Sequence, residues 1–184
     1  YQHARKVAIE SGAIIFSERG INRESVPLAE KGLIAGYLHD IERDQKNHPE
    51  KGAALAGRLL ADKLDARDVE MITFAIRNHE AFKEHETVDD GDFMLLSGSL
   101  YDADKFRWGP DNFLFTLWDM AGSMNLTLDL IVLNYQKGVE GIKRISDTFR
   151  TATGRRYGPD FISRGLEIGE ELYRFCAEET RRGA

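Results

Sequence analysis

Hydrophobic residues recur at helical spacing along almost the whole chain. In the segment "DVEMITFAIRNHE", Val69, Ile72 and Ile76 follow one another at intervals of three and four, which places them on one face of a helix. No segment shows the strict alternation of apolar and polar residues that is typical of a half-buried strand. The pattern therefore predicts an all-α protein with about seven or eight helices, at about 2–18, 26–44, 47–62, 66–80, 92–106, 110–135, 138–149 and 159–181.

Prolines, glycines and acidic residues indicate where these helices begin and end. Pro49, Pro110 and Pro159 each stand where proline favours the first turn of a helix. The segments "ETVDDGD" and "TATGRRYG" are rich in turn-forming residues. They predict breaks between neighbouring helices.

The length and composition are those of one globular domain. A chain of 184 residues is long enough for one sizeable core and short for two ordinary domains. Its hydrophobic fraction of 42% and charged fraction of 30% are ordinary for such a protein. We predict a single helical domain over 1–184, in which 1–108 carries the candidate site and 109–184 supplies helices that complete the bundle.

Charge and cysteine content narrow the class of protein. A formal net charge of −6 argues against general nucleic-acid binding, which needs an excess of lysine and arginine. The single Cys176 cannot form an internal disulfide, which favours a reducing, cytoplasmic setting. The apolar run at 130–133 is far shorter than the roughly 18 residues needed to cross a bilayer, and we expect neither a leader nor membrane association. Because the chain begins at Tyr1 rather than Met, residues could precede it.

Four of the five histidines continue helix faces that should be buried: His3, His39, His48 and His79. His79, for example, follows Ile76 on the face described above. A single buried histidine is readily explained as a core residue with one hydrogen bond. For four inward imidazoles, each costing about 1–3 kcal/mol if left without a partner, a shared metal ion is a better joint explanation.

Two aspartates support a metal site. Asp40 adjoins His39, and Asp104 continues the helix face of Ser97 and Leu100. An ionised carboxylate is costly to bury unless it is paired or binds a cation. Because adjacent side chains on a helix are about 100° apart, His39 and Asp40 can flank one metal site, with Asp40 free to bridge two ions.

The order of these residues resembles the HD superfamily of metal-dependent phosphohydrolases, which is named for its histidine–aspartate doublet. His3 comes first, the doublet His39-Asp40 follows, and Asp104 comes later in "YDADKF". The resemblance covers residues 3 to about 106, over half of the chain. It implies a helical bundle of the HD-domain type.

The resemblance also implies which residues bind metal. The first ion would be held by His3, His39, Asp40 and Asp104. In "YDADKF", Asp104 matches the family's usual ligand position, whereas Asp102 would support the ligands from outside.

His48 in "NHPEKGA" and His79 in "IRNHE" resemble the additional ligands of HD proteins that bind two metal ions. Asp40 would then bridge the pair. The alternative is a mononuclear site in which His48 and His79 contact the substrate or support other ligands. Nitrogen and oxygen ligands without sulfur suit Mn, Fe, Co, Ni or Zn better than Mg.

The activity implied by the resemblance is hydrolysis of a phosphate ester through a metal-activated hydroxide. The substrate would be a nucleotide or a similar small phosphorylated metabolite, and it cannot be carried over from either of two familiar branches of the superfamily. The doublet lacks the downstream Gly-Tyr-Pro of cyclic-di-GMP phosphodiesterases, and "HDIERD" has Arg43 where (p)ppGpp hydrolases carry glutamate. Two alternatives stay open: a mixed-valent di-iron oxygenase with the same six ligands, and a non-catalytic nucleotide sensor.

Arg43 is the first candidate for contacting a phosphate. It lies one helical turn beyond His39, on the side of the doublet, where HD phosphohydrolases often carry a lysine, and it could clamp a phosphate bidentately. The alternative is a surface arginine paired with Glu42, Asp44 or Asp62. Asp44 itself could orient water or protonate a leaving group, or be an ordinary exposed acid.

Residues after the candidate ligands complete the predicted pocket. Lys105 and Arg107 are further candidates for substrate contact, although a helix-end cation is often only solvated or interacting with the helix dipole. Trp108 could form a wall for a flat group such as a base. Arg155 and Arg156 could close over an anion or lie in a solvated link, and His85 is expected to be exposed in a charged loop. Homo-oligomerisation also stays open.

Overall fold

The computed structural model describes residues 2–183. Within them the protein is entirely helical and contains no strand, which confirms the predicted all-α class. A π-helical segment, Asn112–Thr116, precedes the sixth of eight α-helices. The helices are α1 Gln2–Arg19, α2 Ser25–Leu38, α3 His48–Leu60, α4 Ala66–Arg77, α5 Gly91–Phe106, α6 Leu117–Met124, α7 Leu128–Ile145 and α8 Ala152–Gly183.

Contacts along the chain divide it into two units. The first unit runs up to Asp104 and includes Phe149–Arg156, and the second comprises Lys105–Thr148 and the chain from Tyr157 onward. All six candidate metal ligands belong to the first unit. The single domain over 1–184 stays a prediction, and its two terminal residues lie outside the described range.

Small residues let α1 and α2 pack closely in the first unit. A Cβ atom on Gly36 would overlap the backbone of Ala8, and one on Gly32 would lie 2.9 Å from the side chain of Ile15. Glycine is therefore required where the two helix backbones meet. Because α1 begins near His3 and α2 ends just before His39, this packing brings the two imidazoles together.

The core of the first unit also includes α3 and α4, which pack in the pairs α3–α4 and α2–α4, and α5, whose Leu96 and Leu100 are fully buried. Ile72 and Ile76 are fully buried, as their spacing predicted, and removing each from water contributes about 1.5–3 kcal/mol to stability. The helical spacing of His48, Gly52, Leu55 and Leu59 predicts an inward face on α3, and this prediction is wrong at its far end, because Leu59 is 44% exposed. The buried face of α3 instead runs through Ala53, Ala56 and Leu60.

The predicted helix 26–44 is wrong at its C-terminal end. Helix α2 ends at Leu38, and the doublet lies in a series of tight turns. In these turns, Ile41 donates its backbone N–H to Leu38 and Arg43 donates to Asp40. Since His39 keeps right-handed helical dihedrals, the side chains of His39 and Asp40 still diverge nearly as they would on a helix.

The second unit packs the start of its chain against α8. The rings of Phe106 and Phe161 stack with centroids 5.0 Å apart. A Cβ atom on Gly165 would overlap the backbone of Gly109, so the two chain segments touch directly. Helices α7 and α8 meet where Tyr135 stacks on Tyr173, with centroids 4.4 Å apart.

The predicted C-terminal helices are wrong in two places. The continuous helix 110–135 is broken at Asn125, which adopts a left-handed conformation, and α7 then runs unbroken through the predicted boundary near 137. Pro159 does not begin a helix but lies inside α8. The helix starts earlier because Thr151 accepts a hydrogen bond from the backbone of Gly154 and caps the first turn.

None of the helices between residues 2 and 183 has the length and the apolar character that a bilayer-spanning segment needs.

Candidate metal centre

The structure brings the six candidate ligands together in two groups of three. We call His3, His39 and Asp104 the first triad, and Asp40, His48 and His79 the second triad. Within each triad, one nitrogen or oxygen atom per residue lies within 4.8 Å of the others. Such spacing suits a cation held among three donors.

The first triad joins the beginning of α1, the end of α2 and the last turns of α5. The Nε2 atom of His3 lies 3.2 Å from Nε2 of His39 and 3.3 Å from Oδ1 of Asp104. The Nε2 atom of His39 is 3.7 Å from the same carboxylate oxygen. Asp104 is 7% exposed, which makes this carboxylate nearly inaccessible to water.

The second triad is built largely from residues that border helices. His48 is the first residue of α3 and follows Asn47, whose left-handed conformation turns the chain. His79 comes two residues after the end of α4. The Nε2 atoms of His79 and His48 lie 3.4 Å and 3.7 Å from Oδ1 of Asp40.

The Asp40 carboxylate faces both triads. Its Oδ2 atom lies 3.4 Å from Nε2 of His39 and 3.7 Å from Nε2 of His3, whereas its Oδ1 atom faces the histidines of the second triad. Oδ1 is buried and accepts no hydrogen bond from any described residue. A buried oxygen without a partner is costly, and a cation beside Oδ1 would remove that cost.

Two of the histidines are oriented by helix carbonyls. The Nδ1 atom of His39 donates to the carbonyl of Gly36 at 2.8 Å, and Nδ1 of His79 donates to the carbonyl of Ile76 at 2.6 Å. Because a carbonyl can only accept, the proton of each neutral ring lies on Nδ1 and the lone pair on Nε2. Both rings therefore present a metal-binding nitrogen to the site.

Electrostatics favour an ionised carboxylate at the centre of the site. Burial alone would raise the pKa of Asp40, but the neighbouring imidazoles of His39 and His79 and the guanidinium of Arg43 outweigh it and hold this pKa well below its ordinary value. Burial also opposes protonation of His39, yet the carboxylates of Asp40 and Asp104 raise its pKa overall.

The residues present fit one or two divalent cations. Four imidazole nitrogens and two carboxylates form a donor set typical of Mn, Fe, Co, Ni or Zn. The unpartnered Oδ1 of Asp40 and the two oriented rings are what a metal site requires of its protein.

Arg43 and Asp44 differ in their contact with the site. Arg43 donates from Nη1 to Oδ2 of Asp40 at 2.8 Å, and its side chain is 63% exposed. Its ion-pair partner is therefore Asp40, rather than Glu42, Asp44 or Asp62. Asp44 is exposed and belongs to neither triad, so its catalytic role stays a prediction.

Other predicted contacts lie in the second unit. Lys105 and Arg107 are 4% and 9% exposed, so neither is a solvated helix-end cation, and Arg107 pairs with Asp111. Trp108 is half-buried. Their role as substrate contacts stays a prediction.

Two further predictions concern the first unit. His85 is exposed, as expected of a residue in a charged loop. Arg155 and Arg156 lie in the first turns of α8, so the predicted loop around them is wrong.

Sequence reasoning pointed to Asp102 beside the ligands but missed Arg150. Asp102, expected to support them, is fully buried and accepts hydrogen bonds from the backbone N–H groups of Arg150 and Thr151, each at 2.8 Å. The side chain of Arg150 reaches the backbone beside His79, donating to the carbonyl of Asn78 at 2.7 Å. No local signal could indicate this contact, because it joins residues 72 positions apart.

Comparisons of the chain with protein-family models, with curated proteins and with solved structures gave no match. The functional interpretation therefore depends on the geometry of the two triads and on the order of their residues along the chain.

Proposed function

We propose that this protein is a metal-dependent phosphohydrolase of the HD superfamily, which cleaves a phosphate ester of a nucleotide or a similar small metabolite. The observation that carries the proposal is the position of Asp40. Its two oxygens face two separate triads, and one of those oxygens is buried without a partner. A carboxylate in this position is suited to bridge two cations.

Each triad would hold one divalent ion, and Asp40 would be shared. Divalent ions at such a site supply Lewis acidity to a phosphoryl oxygen and lower the pKa of the water that attacks phosphorus. The protein keeps the lone pairs of His39 and His79 on Nε2 through their Nδ1 hydrogen bonds. It also buries Asp104 and much of Asp40, so bulk water competes little for these carboxylates.

The charge of the site supports an anionic substrate. Two divalent ions carry more positive charge than Asp40 and Asp104 neutralise, so the loaded site attracts anions. Arg43 adds a guanidinium at the same place, bound to Oδ2 of Asp40 and largely exposed. Its fork of N–H groups matches the oxygens of a phosphate, and we assign it to clamp the non-bridging oxygens.

The test is hydrolysis by the metal-loaded protein. Purified protein supplied with Mn²⁺ or Co²⁺ should hydrolyse members of a panel of phosphomonoesters and phosphodiesters that includes nucleotides. Asp40→Asn should abolish this activity, because it removes the shared charge. Asp62→Asn is the matched control: Asp62 is 77% exposed and outside both triads, so this variant should keep full activity.

Two results would contradict the proposal. One is inactivity across the whole panel when metal analysis shows the protein to be loaded. The other is a coupled Fe(II)/Fe(III) signal in electron paramagnetic resonance that changes on addition of a polyol or phosphonate, which would favour the di-iron oxygenase instead.

A further inference from the structure

Arg150 lies in a segment that returns to the first unit from late in the chain. Its backbone N–H donates to Oδ1 of Asp102 at 2.8 Å. Thr151 binds the other oxygen of this carboxylate through its backbone N–H at 2.8 Å and its hydroxyl at 2.7 Å. A Cβ atom on Gly154 would overlap the same carboxylate. The beginning of α8 is thus fixed tightly to α5, two residues before Asp104.

The Arg150 side chain extends from this anchor to the second triad. Its guanidinium lies over the ring of Tyr101, 3.6 Å from the centroid, and Nη1 donates to the carbonyl of Asn78 at 2.7 Å. Stacking on an aromatic face and a charged hydrogen bond both restrict the guanidinium to one place. Arg150 forms no ion pair with a carboxylate of the described chain, so its direct polar contact is this carbonyl.

The carbonyl of Asn78 belongs to the peptide unit that leads into His79. Because a peptide unit is planar, holding its oxygen also fixes the direction of the His79 N–H. The backbone at His79 is held only weakly by α4 itself, because the helix ends at Arg77 and the His79 N–H makes a long turn bond of 3.5 Å to the carbonyl of Ile76. The Asn78 side chain adds two contacts, donating to Phe74 and accepting from the backbone of Glu86.

We propose that Arg150 is a positioning residue that holds His79 in the orientation needed to bind the metal ion of the second triad. This inference rests on the proposed metal site. Arg150 acts on His79 through the Asn78 peptide rather than by contact with an ion. The first triad contains no residue that Arg150 contacts, so its ion should depend little on this guanidinium.

The experiment titrates three variants with Mn²⁺ and measures binding by calorimetry. Arg150→Met should weaken binding of one ion about 10- to 100-fold, the usual effect of removing a group that orients a ligand, and leave the other ion unchanged. Arg150→Lys keeps a charged donor and should recover most of this loss. Arg67→Met is the matched control, because Arg67 also donates to an oxygen atom, that of Asp90 at 2.7 Å, and lies over an aromatic ring, that of Phe93, and neither residue belongs to a triad.

A metal-free measurement tests the same inference independently of metal binding. Long-range proton–nitrogen spectra of the histidine rings, assigned with a His79→Gln variant, should show His79 in the Nδ1–H form in the parent protein. Arg150→Met should shift it towards a mixture of tautomers, and Arg67→Met should not. This readout does not need bound metal. If the parent protein binds no ion, the proposed function fails, but the spectra still test the role of Arg150.

The positioning role is overturned if Arg150→Met leaves both the second ion and the His79 spectrum unchanged, because the Asn78 side chain then suffices. It is also overturned if both ions are weakened equally in proportion to a loss of thermal stability, which would make Arg150 a general structural residue.

Discussion

The two triads contain similar donors but are built in different ways. The first triad depends on helix packing: His3 lies on α1, Asp104 on α5, and His39 directly follows α2 where that helix meets α1. The second triad depends on the chain between helices, because Asp40 lies in a turn and His79 beyond a helix end. Similar chemistry is thus supported by the core in one triad and by turns and distant side chains in the other.

The difference predicts which substitutions should weaken metal binding at each triad. Helix backbones in contact move little, so a change in the α1–α2 packing should affect the first triad and the stability of the fold together. Turns between helices open at lower free energy than the core. Changes around His79 should therefore affect metal binding with little loss of stability.

The largest effect is expected from breaking both triads at once. Asp40→Asn removes the charge that the triads share, and we expect the rate of phosphate-ester hydrolysis to fall on the order of 10⁴-fold. Metal analysis should show that both ions are weakened. Retention of one tightly bound ion would mean that Asp40 belongs to a single triad.

Removing one histidine from each triad separates the two. His3→Ala should weaken one ion and His79→Ala the other, each by about 100-fold or more, because a direct ligand contributes at least as much as a group that orients it. Calorimetric titration of the two variants and of the double variant measures this. Loss of both ions in either single variant would contradict independent triads.

Gly36→Ala tests the dependence of the first triad on helix packing. The added Cβ would overlap the backbone of Ala8, and we expect a loss of about 1–3 kcal/mol in the free energy of unfolding together with weaker binding of the first ion. Urea denaturation measures the stability. Gly138→Ala is the control: nothing lies within 4 Å of its added Cβ on α7, so it should stabilise by about 0.5–1 kcal/mol.

The smallest effect is a difference in pH dependence. Burial opposes protonation of His39, but neighbouring carboxylates raise its pKa, whereas burial and the nearby His79 lower the pKa of His48. When the pH is below the pKa of a ligand, the metal ion must displace the proton of that ligand. The affinity for the ion then falls about tenfold for each pH unit. As the pH is lowered, affinity should fall first at the first triad. Metal titrations from pH 8 to pH 5, at about one-unit intervals, measure the affinity of each ion. An earlier fall in affinity at the second triad would contradict the prediction.

The helical class and the six candidate ligands could be predicted because both depend on local pattern and residue order. Spacing placed Ile72, Ile76 and His79 on one face, and all three are buried. The doublet was predicted inside a helix, which is wrong, because α2 ends at Leu38 and the doublet follows it in tight turns. His39 keeps helical dihedrals and the turns after it are closed by hydrogen bonds between residues three apart, so a pattern of apolar spacing does not distinguish them from a continuing helix.

What could not be predicted depends on caps and distant contacts. Asn125 followed by Thr127 signals a break between two helices, because asparagine can end a helix and the Thr127 side chain accepts from the backbone of Leu130 at the start of α7. The apolar residues on both sides favoured one continuous helix instead. Thr151 caps α8 ahead of Pro159, which then lies inside the helix. The role of Arg150 follows only from the return of its segment to α5.

The ion pair between Arg43 and Asp40 has a consequence for how the centre is filled. The guanidinium now binds the Oδ2 atom that faces the first triad. A cation that takes this oxygen competes with Arg43 for it, and a displaced guanidinium, already largely exposed, has its donors available. Under the proposed function, metal binding would then also free Arg43 to bind the phosphate of the substrate. The arginine would exchange the Asp40 carboxylate for an external anion.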